Sequence, residues 1–386
     1  MENIWRTWAE IDLDALQHNV REIRKQIRKS TRMLAVIKAD AYGHGAVGIV
    51  QELLNCGVTD FAVASVNEAV QLRQAGIQGN LLILGYTPDE NLFQVVKAGV
   101  QQTVYSLSQA KRLQEIATAQ GRTIGIHLKV DTGMHRLGFA DNDESAEAID
   151  MISQMSNLSI EGIFSHFAGA DQEDLTGAKK QLNRFHRFLK RLDEKTISIP
   201  LRHMANSGAI VTMKEAEFDM VRPGLLLFGH FPSDVCRLPD LNLRPVMTVK
   251  SRIAHLQIVE SGEGVSYGPS YRAESPVRIA TVPIGYADGF SRILSNKPLG
   301  LMIHGEIAPL VGNICMDYCM VDVSQIAEAA VGDEVIIYGK EHPVEQFAEA
   351  MGTINYEVLC LLHKRIPRVY IKSGETIEIQ DSLLGE

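Results

Sequence analysis

The 386-residue chain has no apolar run long enough to cross a bilayer, about 18 or more residues, so no membrane span is expected. It has no basic block. Lys and Arg number 38 against 47 Asp and Glu, and the net charge of −9 argues against nucleic acid as a partner. Cysteine is sparse: Cys56, Cys236, Cys315, Cys319 and Cys360 form an odd, scattered set that fits free thiols better than a disulfide framework. Cys315 and Cys319 stand at C-x3-C spacing without a second Cys or His pair at zinc-finger spacing, so buried thiols are expected there and no metal. The first ten residues lack the charged-then-apolar pattern of a signal peptide, which makes cytoplasmic residence the expectation. Internal repeats and low-complexity tracts are missing too.

What is present is an ordinary globular composition, 45% hydrophobic, in a chain longer than one core usually serves unless one domain is a large α/β barrel. Two textures divide it near residue 235. Before that point, short apolar runs at 33–37, 61–64, 81–84, 103–105, 124–130, 160–164, 202–205 and 225–228 alternate with helical patterns. Asp14 is placed to cap the first helix, with Leu16, Val20, Ile23 and Ile27 at helical spacing. Another helix is expected over 173–192, with Leu182, Phe185, Phe188 and Leu189 on one face. Eight strand candidates alternating with helices predict an N-terminal (β/α)8 barrel over residues 1–240. A doubly wound open sheet is the alternative, disfavoured because no G-x-G-x-x-G follows the first strand. Past Arg244, runs at 246–259, 277–284, 299–303, 320–323, 334–338 and 376–379 with turn residues between them predict a mostly β domain over 241–386. A further strand at 7–13 precedes the barrel count, and residues 1–13 are expected to pair with that β domain.

Lys38 ends an apolar strand and opens the segment Lys38-Ala39-Asp40-Ala41-Tyr42-Gly43-His44-Gly45. In a barrel the strand C-termini face the active site. A lysine desolvated there becomes a usable amine, able to condense with carbonyl compounds such as pyridoxal phosphate (PLP). A snorkelling or salt-bridged lysine fits the same place. Gly43 and Gly45 favour a tight turn beside it. Taken singly, His166 fits a hydrogen-bonded core histidine, Ser207 a helix cap, Tyr267 a turn tyrosine and Arg136 a surface residue.

The string Ala35-Val36-Ile37-Lys38-Ala39-Asp40-Ala41-Tyr42-Gly43-His44-Gly45 resembles the PLP-lysine signature of the alanine racemase family. The resemblance continues in order through Lys129-Val130-Asp131-Thr132-Gly133-Met134-His135-Arg136-Leu137-Gly138, Ser165-His166-Phe167-Ala168, His203-Met204-Ala205-Asn206-Ser207 and Val221-Arg222-Pro223-Gly224. It runs on through Val265-Ser266-Tyr267-Gly268, Gly285-Tyr286-Ala287-Asp288-Gly289, Cys315-Met316-Asp317 and Asn355-Tyr356-Glu357. The family plan, a PLP-binding barrel followed by a β domain, agrees with the two textures. The resemblance implies that Lys38 holds PLP and serves as one base, and that Tyr267 of the partner subunit in a homodimer is the other. It implies that His166 stacks near the coenzyme ring and Arg222 bonds its pyridine nitrogen. Arg136 would hold the phenolic oxygen and the substrate carboxylate, the latter with the backbone of Met316. Tyr42, Ser207, Gly224, Leu225 and Tyr356 would surround the phosphate, and Leu84 and Asn206 count among the coenzyme contacts. Lys129 matches a lysine often carbamylated in the family, Tyr286 lines the substrate path, and Asp317 has a supporting place.

Physical chemistry agrees with these roles. Inverting an α-carbon takes a proton from one face and returns one to the other, so two opposed bases suit it. Lysine and tyrosine side chains titrate at about 10 when unperturbed, so such bases need desolvation or cationic neighbours. An arginine stays protonated and would leave a facing ring nitrogen unprotonated, weakening the electron sink and disfavouring side reactions such as transamination. The resemblance thus implies interconversion of L- and D-alanine, supplying D-alanine for peptidoglycan or catabolising it. Departures from the family pattern are Asn313 where an arginine is common and Phe228-Gly229 for a frequent Tyr-Gly. Tyr356 would crowd a hydroxymethyl group more than a methyl, which favours alanine over serine by only about 1–3 kcal/mol. The rivals are a serine-preferring racemase, a PLP-barrel decarboxylase, which favours a carboxylate where Arg222 stands, and a non-enzymatic PLP carrier, against which the β domain argues.

Overall fold

A computed structural model describes residues 5–268 and 270–385. By its contacts the chain forms two compact units. One comprises Gln17–Ala41 and Ala46–Leu243. The other comprises the chain up to Leu16, the short piece Tyr42–Gly45, and everything from Arg244 onward.

The first unit is a closed barrel of eight parallel strands: Arg32–Val36, Asp60–Val63, Asn80–Ile83, Gln101–Val104, Ile124–Asp131, Leu158–Phe164, Leu201–Asn206 and Met220–Arg222. Met220–Arg222 pairs with both Arg32–Val36 and Leu201–Asn206, and Gln101–Val104 pairs with Ile124–Asp131, so no edge remains open. Most strands are buried along nearly their whole length, as a barrel filled by side chains and covered by helices requires. The helix Thr176–Glu194 buries Leu182, Phe185, Phe188 and Leu189 as their spacing predicts.

The structure departs from expectation at the eighth strand and at the first helix cap. The eighth strand is Met220–Arg222, and Leu225–Phe228 is a 3-10 turn. All four of its side chains are buried, and a short, fully buried apolar run looks the same in a strand and in a helical turn. The first helix, Leu13–Gln26, is capped by Asp12, whose Oδ1 accepts from the Ala15 amide at 2.8 Å, and not by Asp14. The Asp14 carboxylate instead accepts from the Ser373 amide at 2.6 Å.

The second unit is built on a ten-stranded sheet. The strand Thr7–Asp12 lies within it, antiparallel to Met247–Arg252 and parallel to Arg368–Lys372. The expected run 246–259 is two strands, Met247–Arg252 and His255–Val259. Beyond the expected elements, this unit also has the strands Glu306–Val311 and Arg368–Lys372 and the helices Val344–Met351 and Asn355–Leu361. Val259, Val265, Ala273, Ile279, Val311 and Met320 pack into one core cluster at the sheet's end. All five cysteines are free thiols; Cys236 and Cys319 are buried, but Cys315, expected to be buried with Cys319, is only half-buried. No helix among the described residues is long and apolar enough to cross a membrane.

Candidate active site

In a parallel barrel every strand ends on the same rim, and the barrel-borne candidates gather there. Lys38 lies two residues past Arg32–Val36, and Leu84 follows Asn80–Ile83. Lys129 sits near the end of Ile124–Asp131, with Arg136 on the loop that follows. His166 lies two residues past Leu158–Phe164. Asn206 ends its strand and Ser207 follows it; Arg222 ends another, with Gly224 and Leu225 just beyond.

Lys38 is half-buried and opens a left-handed helical turn. Ala39, Asp40, Ala41 and Tyr42 all have φ near +53°, and Gly43 and Gly45 continue at +82° and +87°. Gly43 and Gly45 do not make this turn alone, because four residues with Cβ atoms precede them in it. Left-handed helix costs such residues roughly 1–2 kcal/mol each, and strain of this kind persists where surrounding bonds over-determine it. Here they do. The Ala39 amide donates to Glu68 Oε1 at 2.8 Å, the Ala41 amide to the Ile37 carbonyl at 2.9 Å, and the Ala46 amide to Asp40 Oδ1 at 2.8 Å.

Arg222 is 3% exposed and bound on several sides. Its Nη1 donates to His203 Nδ1 at 2.9 Å; its Nη2 donates to the Ser165 and Met204 carbonyls at 2.8 and 2.9 Å and to His166 Nδ1 at 3.2 Å. A guanidinium only donates, so both Nδ1 atoms accept, and the neutral rings carry their protons on Nε2. His203 then donates to His127 Nδ1 at 2.9 Å. Burial lowers Arg222 to about 9, which leaves it charged at neutral pH. Burial, then the charges of Arg222, Lys129, Arg136 and Lys38, hold His166 well below the usual imidazole range. Burial and Arg222 do the same to His203, and burial takes His127 down to about 3.

Phe164 is the floor of this cluster. Strand pairing sets Lys129 and His203 beside it on either hand. The His203 ring stacks on it with centroids 4.8 Å apart, the Arg222 guanidinium lies 5.2 Å from its centroid and Lys129 Nζ 5.3 Å. Lys129 is 6% exposed and donates to the Val130 carbonyl at 3.1 Å. Burial lowers it to about 7, with Arg222 and Arg136 adding to the effect against Asp131. Asp131 Oδ1 collects the amides of Gly133, Met134 and His135 at 2.9–3.1 Å and so shapes the loop that carries the exposed Arg136.

Ser207 was expected to be a cap or a phosphate ligand. The cap of Ser207–Thr212 is Asn206, whose side chain accepts from the Ala209 amide at 3.0 Å. Ser207 Oγ accepts from the Gly224 amide at 3.0 Å, which brings the two predicted phosphate segments together and leaves the hydroxyl proton for another acceptor.

In the second unit, Tyr42 and Tyr356 are neighbours, with ring centroids 6.0 Å apart, and burial raises the Tyr42 phenol. Tyr267, Tyr286 and Met316 stand on three turns joined by backbone and side-chain bonds. The Tyr286 amide donates to the Cys315 carbonyl at 3.1 Å and the Ala287 amide to the Met316 carbonyl at 3.0 Å. Gly285 permits that approach, because a Cβ there would lie 2.4 Å from both carbonyl oxygens. Asp288, fully buried, accepts from the Gly285 amide at 2.9 Å, Arg365 Nε at 2.7 Å and Arg6 Nη2 at 3.2 Å. Arg365 Nη2 also reaches Asp317 Oδ1 at 2.7 Å, so Asp317 ties down the Met316 loop. Tyr267 is 72% exposed and Met316 53%.

Sequence reasoning assigned no role to Phe164, His127 or His203. His203 lies in one of the strings that resemble the family, whereas His127 stands mid-strand without a motif around it. Phe164 carried no signal beyond its place at a strand end.

The rim fits PLP by its donor set. It offers a half-buried amine, a fixed buried guanidinium, cationic side chains for anionic groups, and a hydroxyl and glycine loop at a helix start, where first-turn N–H groups lack intrahelical partners.

Known proteins place this geometry. The family description "Alanine racemase, N-terminal domain" matches residues 11–232, and "Alanine racemase, C-terminal domain" matches 246–370. An alanine racemase of Clostridium tetani is 46% identical over 378 residues, covering 97% of each chain. Alanine racemase 1 of Clostridium acetobutylicum is 45% identical over 378 residues, with the same coverage. The solved alanine racemase of Clostridium difficile superposes with a TM-score of 0.97 at 42% identity, covering 99% of this chain and 100% of that one. That of Bacillus anthracis with bound L-Ala-P superposes at 0.93 with 32% identity, covering 100% of both. The chain belongs to the alanine racemase family, isomerases that act on amino acids.

Proposed function

We propose that this chain, with PLP bound on the barrel rim, interconverts L- and D-alanine through two bases, Lys38 and Tyr267 of the partner subunit in a homodimer. When bound, PLP supplies the electron sink that acidifies the α-hydrogen of an amino acid. The observation that carries the reading is the rim itself: Lys38, Lys129 and Arg222 stand at strand ends with Arg136 on the adjoining loop, and Arg222 bonds His166, which burial first and these four cations second hold neutral. Such a rim attracts a phosphate and a carboxylate. Its buried cation, Arg222, stands where a decarboxylase of this plan would favour a carboxylate.

Each residue then has a physical task. Lys38 holds the coenzyme and moves a proton on one face of Cα. Tyr267 moves a proton on the opposite face. Arg222, held from His203, Ser165 and Met204, keeps a charged donor toward the pyridine nitrogen. Ser207, Gly224, Leu225, Asn206, Tyr42 and Tyr356 receive the phosphate end, and Leu84 and His166 flank the ring. Arg136 and the Met316 backbone hold the substrate carboxylate, and Tyr286 lines its path.

Lys129, lowered to about 7, has a neutral amine available at physiological pH. Addition of that amine to carbon dioxide, with loss of one proton, gives a carbamate. The change from cation to anion would give Arg136 a partner. The homodimer is supported by the exposure of Tyr267, Tyr286 and Met316 on joined turns of one unit, since exposed apolar groups gathered together mark an interaction surface. Enantiomers have equal free energy, so the same enzyme makes or consumes D-alanine according to supply.

The test is circular dichroism of purified holoenzyme with L-alanine, alongside a carbon dioxide assay. The signal should decay to zero without gas release. A flat signal, or carbon dioxide from the amino acid, would reject the reading.

A further inference from the structure

We propose that Asn313 is a positioning residue for Tyr267, fixing the phenol-bearing turn to the loop that carries Met316. This rests on the two-base reading. Because its own chain leaves the ring largely uncovered, Tyr267 is located by the backbone beneath it. That backbone is an unusual one: Ser266 has φ +70° and Gly268 +49°. Left-handed residues with a side chain hold only where neighbours fix them.

The fixing is reciprocal. Ser266 Oγ donates to the Asn313 carbonyl at 2.5 Å. The Asn313 side chain returns the bond, with Nδ2 donating to the Tyr267 carbonyl at 2.7 Å and lying 3.4 Å from that of Gly268. Next to it, Gly312 has φ +68°, and a Cβ there would lie 2.6 Å from the Val265 carbonyl oxygen, so the two segments touch through backbone. Beyond Asn313 the same loop is stitched to the Tyr286 turn through the Cys315 and Met316 carbonyls. The carboxamide is short enough to bridge neighbouring carbonyls of one turn. It thereby sets the offset between the base and the backbone proposed to hold the substrate carboxylate. A displacement of about 1 Å in such a geometry costs on the order of a hundredfold in rate.

The test compares holoenzymes of the parent chain, Asn313→Ala, Asn313→Asp and Tyr267→Phe. Asn313→Asp keeps the size and removes the donor. Racemisation is followed from L- and from D-alanine, each with hydrogen or deuterium at Cα. Loss of the clasp should lower kcat/KM roughly ten- to a hundredfold. The α-deuterium effect should rise only in the direction in which Tyr267 takes the proton. A 3-fluorotyrosine placed at 267 should show a shifted or broadened fluorine resonance in both Asn313 variants, a readout independent of turnover. If Asn313→Ala fails to fold, Asn313→Asp and Ser266→Ala carry the test. The inference is overturned if Tyr267→Phe is inactive while the Asn313 variants keep parental kinetics and resonance. It is equally overturned if the deuterium effect changes alike in both directions, the mark of general loosening. Full activity of Tyr267→Phe would remove the two-base reading and this inference with it.

Discussion

The barrel rim and the three joined turns of the second unit hold their residues in opposite ways. On the rim the side chains themselves are locked: Arg222 is bonded to two histidines and two carbonyls, and Phe164 has a ring and two cations against it. On the turns the backbones are locked, through Asp288, Arg365 and the Cys315 and Met316 carbonyls, while Tyr267 and Met316 face outward. A rim locked by side chains suits a rigid group that stays bound. Turns locked by backbone suit groups presented to something the single chain does not supply. The proposed division, coenzyme on the rim and second base offered outward, follows from that difference.

The largest expected effect falls on the bases. Lys38→Ala and Tyr267→Phe should each lower racemisation by at least about 10²–10⁴-fold, read by the decay of the dichroic signal. Lys38→Ala should also abolish the absorbance band of lysine-held PLP, which Tyr267→Phe should keep. Next comes the rim's charge. Arg222→Glu removes a buried donor set and should lower racemisation while raising the fraction of turnovers that end in transamination, measured as pyruvate formed per inversion. Equal partitioning in both enzymes would show that the rim's cation does not govern reaction choice.

The turns give a smaller effect. Gly285→Ala places a Cβ against two carbonyl oxygens and should destabilise the protein by roughly 1–3 kcal/mol, seen as a lower Tm. A pH-dependent effect separates the buried amine from the rest. Lys129 has a folded-state value of about 7, well below the 10.5 of a free lysine. Charging it therefore costs stability, a cost absent above about pH 10.5, growing as pH falls and complete below about 7. In buffer free of carbon dioxide, Lys129→Met should raise Tm more at low pH than at high pH. The opposite trend would mean that the amine is not desolvated.

Much of the barrel was legible because its strands are buried on both faces and read as continuous apolar runs separated by helical periods. The eighth strand was not, since Met220–Arg222 is three residues long and Leu225–Phe228 offered a stronger apolar signal. The cap of the first helix was missed by two positions because Asp12 and Asp14 are equivalent in composition, and only the fold decides which reaches Ala15. Within the site, Lys38 and Arg222 were visible as strand-end cations joined to motifs. Phe164 and His127 act through stacking and through one relayed hydrogen bond, and such contacts depend on register across strands that no linear spacing records. The left-handed run Ala39–Tyr42 was equally hidden, because residues with Cβ atoms give no local signal for it.

Mixing of inactive chains goes most directly to the claim that the two bases come from different subunits. Purified Lys38→Ala and Tyr267→Phe proteins are combined, subunit exchange is verified with distinguishable tags, and racemisation of alanine is measured. The account predicts that activity returns, with one competent site in each mixed dimer. Persistent inactivity after demonstrated exchange would contradict it.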